Sequence, residues 1–200
     1  MSTVFKHLRS AKHRIELYAT PMSRVVLNMS GYLATAMKLS ILRKGNREGL
    51  AADMFLAAIC VLICVIAGMM ADASALILQL IRVFDNEGVS VTGMCSALDD
   101  FLDRIVYLFH DGGCFHVPGH TQFICQWLLK PHFYVVRGSG RCLGGAPVTE
   151  AQKRDALAHM KTWTVMARET LLAEFPSFGF VRALSAFKLP SKVDVTEEEE

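Results

Sequence analysis

Eighteen consecutive residues, Met54 to Ala71, carry no charge and no strongly hydrogen-bonding side chain, a length at the threshold for a helix that crosses a bilayer. The fold must give this run either lipid or a full jacket of other apolar surface. Lys38, Arg43, Lys44 and Arg47 precede it, whereas Asp72, Arg82, Asp85 and Glu87 follow. A single span over 54–71 would therefore leave the amino terminus cytoplasmic. Several features favour a core helix instead. No Trp or Tyr marks either edge, the run is rich in Ala, Cys, Met and Gly, and helix-permissive sequence continues past Asp72 into ASALILQLI.

The rest of the chain supplies what a core helix needs. Its 200 residues, 52% of them hydrophobic, are enough for one domain and too apolar for disorder. The 21 basic and 19 acidic side chains nearly cancel to +2, so net charge makes no argument for nucleic acid. Six cysteines are too few for a disulfide scaffold. The opening MSTVFKHLRSAKHRIELY places charges where a secretory signal would need an unbroken apolar core, so a reducing, intracellular compartment is expected.

Residues 4–18 wind as a short amphipathic helix, and Pro21 favours a fresh helix start. From Met22 to Lys44 the positions Val25, Val26, Met29, Leu33, Met37 and Ile41 recur at steps of three and four, with Gly45 placed for a left-handed cap. After a turn at Asn46–Gly49, Leu50 to Arg82 is helix-permissive, interrupted only by Gly68 and Asp72. Val89 to His110 repeats the one-sided pattern with Met94, Leu98, Leu102, Ile105 and Phe109. Asp111 to Gly119 is irregular, and Thr121 to Leu129 makes a short helix stopped by Pro131.

His132 to Arg137 is the one good strand, leading into the glycine-rich loop GSGRCLGG. Thr149 and Gln152 match a capping box for a helix running to Glu174. Ser177 caps another over Phe178–Phe187, and Pro190 onward is an acidic tail. The expected fold is mainly α: an irregular bundle around one very apolar central helix, with at most one short strand. It is expected as one domain over 1–189 with a disordered acidic tail over 190–200.

Three constellations bear on chemistry. Asp99, Asp100 and Asp103 spell DDFLD, whose outer carboxylates share a helix face and can hold Mg²⁺ against a diphosphate. This resembles the aspartate-rich motif of isoprenoid synthases, although no second acidic cluster lies outside the terminal tail. Cys114, His116, His120 and Cys125 have the ligand types of a zinc site, but C-x-H-x₃-H-x₄-C is not a standard spacing. Gly138, Gly140, Gly144 and Gly145 around Arg137 and Arg141 suggest a phosphate cradle without the helix start that such a cradle needs. No nucleophile motif occurs, so no catalytic residue and no cofactor is assigned.

Two segments resemble the carboxy-terminal half of hAT-superfamily transposases. Leu27 to Ile66 is similar to that family's helix with a Leu-Ser step, a polar turn and a long helix. Thr170 to Leu189, TLLAEFPSFGFVRALSAFKL, is similar to a segment in which one helix ends at Phe-Pro and a short helix closes on Ala-x-x-x-Phe. The resemblance implies a helical region inserted into an RNase H-like nuclease fold, with the apolar helix at its core. No catalytic carboxylate stands at a matching position, so it implies a truncated or domesticated, non-catalytic piece. Such a piece binds protein or its own kind, and a nuclear location and contact with nucleic acid follow from the likeness alone. The competing expectations are the single-pass membrane protein and a small metal enzyme built on DDFLD.

Overall fold

The structure is a computed structural model, described here over residues 16–86 and 88–174. Its helices are α1 (Glu16–Leu27), α2 (Met29–Leu42), α3 (Arg47–Ala58), α4 (Val61–Phe84), α5 (Val91–Phe109), α6 (His120–Trp127) and α7 (Glu150–Glu174). A 3₁₀ turn spans Gly113–Phe115, and strands β1 (Pro131–Val136) and β2 (Ser139–Gly144) lie between α6 and α7. The protein is mainly α with a very apolar helix at its centre, as the patterning predicts. The expected helix over 178–187, the acidic tail and the first part of the expected 4–18 helix lie outside the described residues.

The centre is α4, which packs against α1, α5, α6 and α7. Cys64, Val65, Gly68, Met69, Ala71, Ala73, Leu76 and Leu80 are its buried positions. They are drawn from more than one side of the helix, because single apolar stripes from four neighbours each need a partner. Phe109 on α5 meets Trp163 on α7 edge to face, with centroids 5.8 Å apart. Around this group, α2, α3 and the β-hairpin pack on one another, and Leu33, Leu56, Ile59, Tyr134 and Leu143 extend the same contiguous core.

Two helices expected from periodicity are each broken. The 22–44 helix turns at Asn28, and the pieces 21–27 and 29–42 are bent by 81°. Pro21 falls inside α1 instead of starting a helix. The apolar run over 54–71 is not one rod either, since α3 stops at Ala58 and α4 begins at Val61, with Ile59 and Cys60 in extended conformation. The β-hairpin explains how this break is tolerated. A helix end leaves carbonyls without intrahelical partners. Here Arg141 Nη1 donates to the Ala57 carbonyl at 3.2 Å, and Tyr134 Oη donates to the Ile59 carbonyl at 3.4 Å.

The segment expected as a loop after one strand is itself a strand. Val136 pairs with Ser139 and Pro131 with Gly144, antiparallel. Arg137 (φ 48°) and Gly138 (φ 83°) form the two-residue turn, and two successive left-handed residues suit the twist of a hairpin. The capping box forms as expected: Gln152 N–H donates to Thr149 Oγ1 at 3.2 Å, and Thr149 N–H donates to Gln152 Oε1 at 2.9 Å.

Candidate functional site

Asp72 is the one charged residue in the inner half of α4, and its carboxylate is fully engaged. Oδ1 accepts the His120 backbone N–H at 2.7 Å and lies 2.9 Å from His120 Nδ1. Oδ2 accepts the Thr121 backbone N–H at 2.9 Å and the Thr121 hydroxyl at 2.6 Å. A carboxylate from a distant helix thus caps the amino end of α6, where free N–H groups and the helix dipole favour negative charge. The approach is close. A Cβ on Gly68 would sit 2.9 Å from the Thr121 Cα, and one on Gly119 would sit 2.8 Å from Asp72 Oδ1.

This arrangement takes apart the expected zinc set. His120 is held by Asp72, and His116 is exposed. Cys114 is buried, and burial, with Asp72 and then Cys125 adding to it, pushes its thiol up to about 12. Burial also raises the Cys125 thiol, against the pull of Lys153. Among the described residues no three His, Cys, Asp or Glu side chains come together to hold a metal ion.

The DDFLD carboxylates separate as helix geometry requires. Asp99 and Asp103 line a cleft of about 410 Å³ between α5 and α7, together with Tyr107, Asp111 and Arg168. Asp100 points elsewhere, into a groove of about 160 Å³ with Arg104 and Gln79. Among the described residues the wall facing Asp99 and Asp103 carries Arg168 rather than a second acidic cluster. The glycine-rich segment is the hairpin turn and β2, and Arg141 is committed to the end of α3, so no phosphate cradle forms there.

A different surface stands out, one that motif reading passes over. On α3, Gly49, Ala52 and Leu56 face inward, while Arg47, Leu50, Ala51, Met54, Phe55 and Ala58 face outward. The outward set falls at i, i+3, i+4, i+7, i+8 and i+11, the spacing by which an amphipathic helix normally seats its larger apolar face in a core. Here Leu56 is the one large side chain that goes in, while Leu50, Met54 and Phe55 stay out, with Met54 68% and Leu50 55% exposed. The end of α2 adds Ile41 and Leu42, 70% and 79% exposed, and β1 adds Phe133 at 75%. Gly45 in the left-handed region (φ +86°) makes the corner between α2 and α3, and a Cβ on Gly49 would collide with the Arg43 carbonyl.

Charge is segregated onto the same group of elements. Lys38, Arg43, Lys44, Arg47, Lys130, Arg137 and Arg141 belong to α2, α3, the hairpin and their turns, against only Glu48 and Asp53. All seven cations are exposed, and Arg43 pairs with Glu48. The near-zero net charge conceals this. The usable signal was the distribution of acids, since none occurs between Glu16 and Glu48 or between Asp111 and Glu150. No family model, curated protein or solved structure matches the chain.

Proposed function

We propose that the protein is a non-catalytic helical interaction module, in which the bundle around α4 displays the α2–α3 pair and the hairpin to a binding partner. The observation that carries this reading is the reversed amphipathicity of α3, whose larger apolar stripe is turned outward. Contiguous exposed apolar surface of this kind marks interaction sites. At the sequence level the expected partner is another protein or a second copy. Descent from a hAT-like transposase belongs to the same proposal, and full-length transcript sequence with upstream nuclease strands would support it.

A photoreactive amino acid placed at Met54 in cells tests the docking reading, with exposed His159 on α7 as the control position. Docking produces a covalent adduct from position 54 and none from 159. The same outcome at both positions, or no adduct at 54, overturns it.

The competing reading, a single-pass membrane protein, is favoured by one observation: α4 has 24 residues and is long and apolar enough to cross a bilayer. Carbonate extraction separates the two, since a spanning helix stays with lipid while a docked module is released. The jacket of α1, α5, α6 and α7 around α4 supports the module.

A further inference from the structure

We infer that the α2–α3 corner is a docking surface for an anionic lipid bilayer, engaged from one side without crossing it. The inference rests on the docking reading above and names the occupant of that surface.

The argument is one of charge and shape together. Ile41 and Leu42 stand consecutively at the end of α2, at its corner with α3, and they are among the most exposed large apolar side chains described. Lys38 lies one turn before them, and Arg43, Lys44 and Arg47 follow directly. Past the corner, α3 presents Leu50 and Met54 along a helix about 18 Å long at 1.5 Å per residue. A short helix with an exposed apolar stripe and flanking Lys and Arg lies in the interface plane of a membrane. There the aliphatic side chains enter the acyl boundary while the cations remain among phosphates and water.

Other occupants suit the surface less well. The centre of a protein interface is depleted of charge, yet here Lys38, Arg43, Lys44 and Arg47 crowd the corner around Ile41 and Leu42. Single-stranded nucleic acid draws on rows of aromatic stacking platforms, whereas beside the two rings of Phe55 and Phe133 the surface is built of aliphatic Ile41, Leu42, Leu50 and Met54, which gain nothing from a phosphodiester chain.

Flotation of the full-length protein with phosphatidylcholine vesicles, and with vesicles also containing phosphatidylserine, tests the assignment. The expected result is flotation with the anionic vesicles alone, reversed by high salt. Ile41→Ser with Leu42→Ser, and separately Lys38→Glu with Lys44→Glu, weaken it by about tenfold or more. Val165→Ser with Met166→Ser, on α7, floats like the unaltered chain, and melting curves confirm that each variant is folded. No flotation, equal flotation with neutral vesicles, or flotation unchanged by the corner variants overturns the assignment. A protein adduct from position 54, combined with no flotation, removes the lipid and leaves the docking reading standing. Resistance to carbonate removes both.

Discussion

The Thr121 hydroxyl donates to Asp72 Oδ2 at 2.6 Å, and the Thr121 backbone N–H donates to the same oxygen at 2.9 Å, across 49 residues of chain. Thr121 is fully buried, and the Asp72 side chain is 14% exposed. The most apolar helix of the protein is thereby tied to the start of α6 by a carboxylate rather than by packing alone.

Replacing Asp72 by Ala leaves a buried hydroxyl and two backbone N–H groups without their acceptor. Unsatisfied buried donors cost about 1–3 kcal/mol each in isolation, and partial relaxation brings the expected total to about 3 kcal/mol. Urea denaturation of Asp72→Ala should show this loss. Thr121→Val, which removes only the hydroxyl donor, should cost less. An Asp72→Ala variant as stable as the parent would remove the capping role.

The glycines near this junction make opposite predictions from those elsewhere. Gly68→Ala drives a methyl toward the Thr121 backbone and should cost about 1–3 kcal/mol by overpacking. Gly31 in α2 has open space where its Cβ would be, so Gly31→Ala should stabilise by about 0.5–1 kcal/mol through helix propensity. Paired melting curves check both signs.

The buried thiols predict alkaline sensitivity. Burial, with Cys60 adding to it, pushes Cys64 up to about 12, and Cys114 reaches a similar value. In the unfolded chain these thiols lose their protons near the ordinary value of 9.0. Between that value and about 12 the unfolded state therefore binds fewer protons than the folded one, and stability falls as pH rises. Below the ordinary value the two states bind these protons alike and the slope vanishes. Cys64→Ala should flatten the alkaline limb of a stability profile. Exposed Cys60 and Cys142 should react with a thiol reagent in the native state, whereas Cys64 and Cys114 should react only on unfolding.

Arg141 supplies the fourth prediction. Its guanidinium meets the carbonyl end of α3, where a cation also suits the helix dipole. The site is exposed, so Arg141→Ala should cost only about 0.3–1 kcal/mol. Its local signature is faster amide exchange in the last turn of α3, with α5 unchanged.

Where a structural device is local, the sequence displays it. The Thr149–Gln152 box needs only a three-residue spacing, and it is formed. The helix pattern of Leu98, Leu102, Ile105 and Phe109 likewise needs no distant partner. The breaks at Asn28 and at Ile59–Cys60 carry no Pro or Gly, and the second closes only because Tyr134 and Arg141 arrive from the hairpin, so periodicity runs straight through it. β2 was illegible because RCLGG lacks β-branched residues, and its pairing with β1 supplies the hydrogen bonds that its composition does not advertise. Asp72 looked like punctuation because its partners lie 48 and 49 residues downstream. The outward stripe of α3 was hidden for a related reason, since spacing defines a face without saying which way it points.

The stop at Ala58 has a consequence for the order in which the molecule is built. The groups that finish that helix end lie 75 and 84 residues further along the chain, and contacts that distant are closed late and slowly. During synthesis the final carbonyls of α3 must wait in water until the whole of α4, α5 and α6 has emerged. Maturation of the α2–α3 corner is thus timed by the arrival of the hairpin.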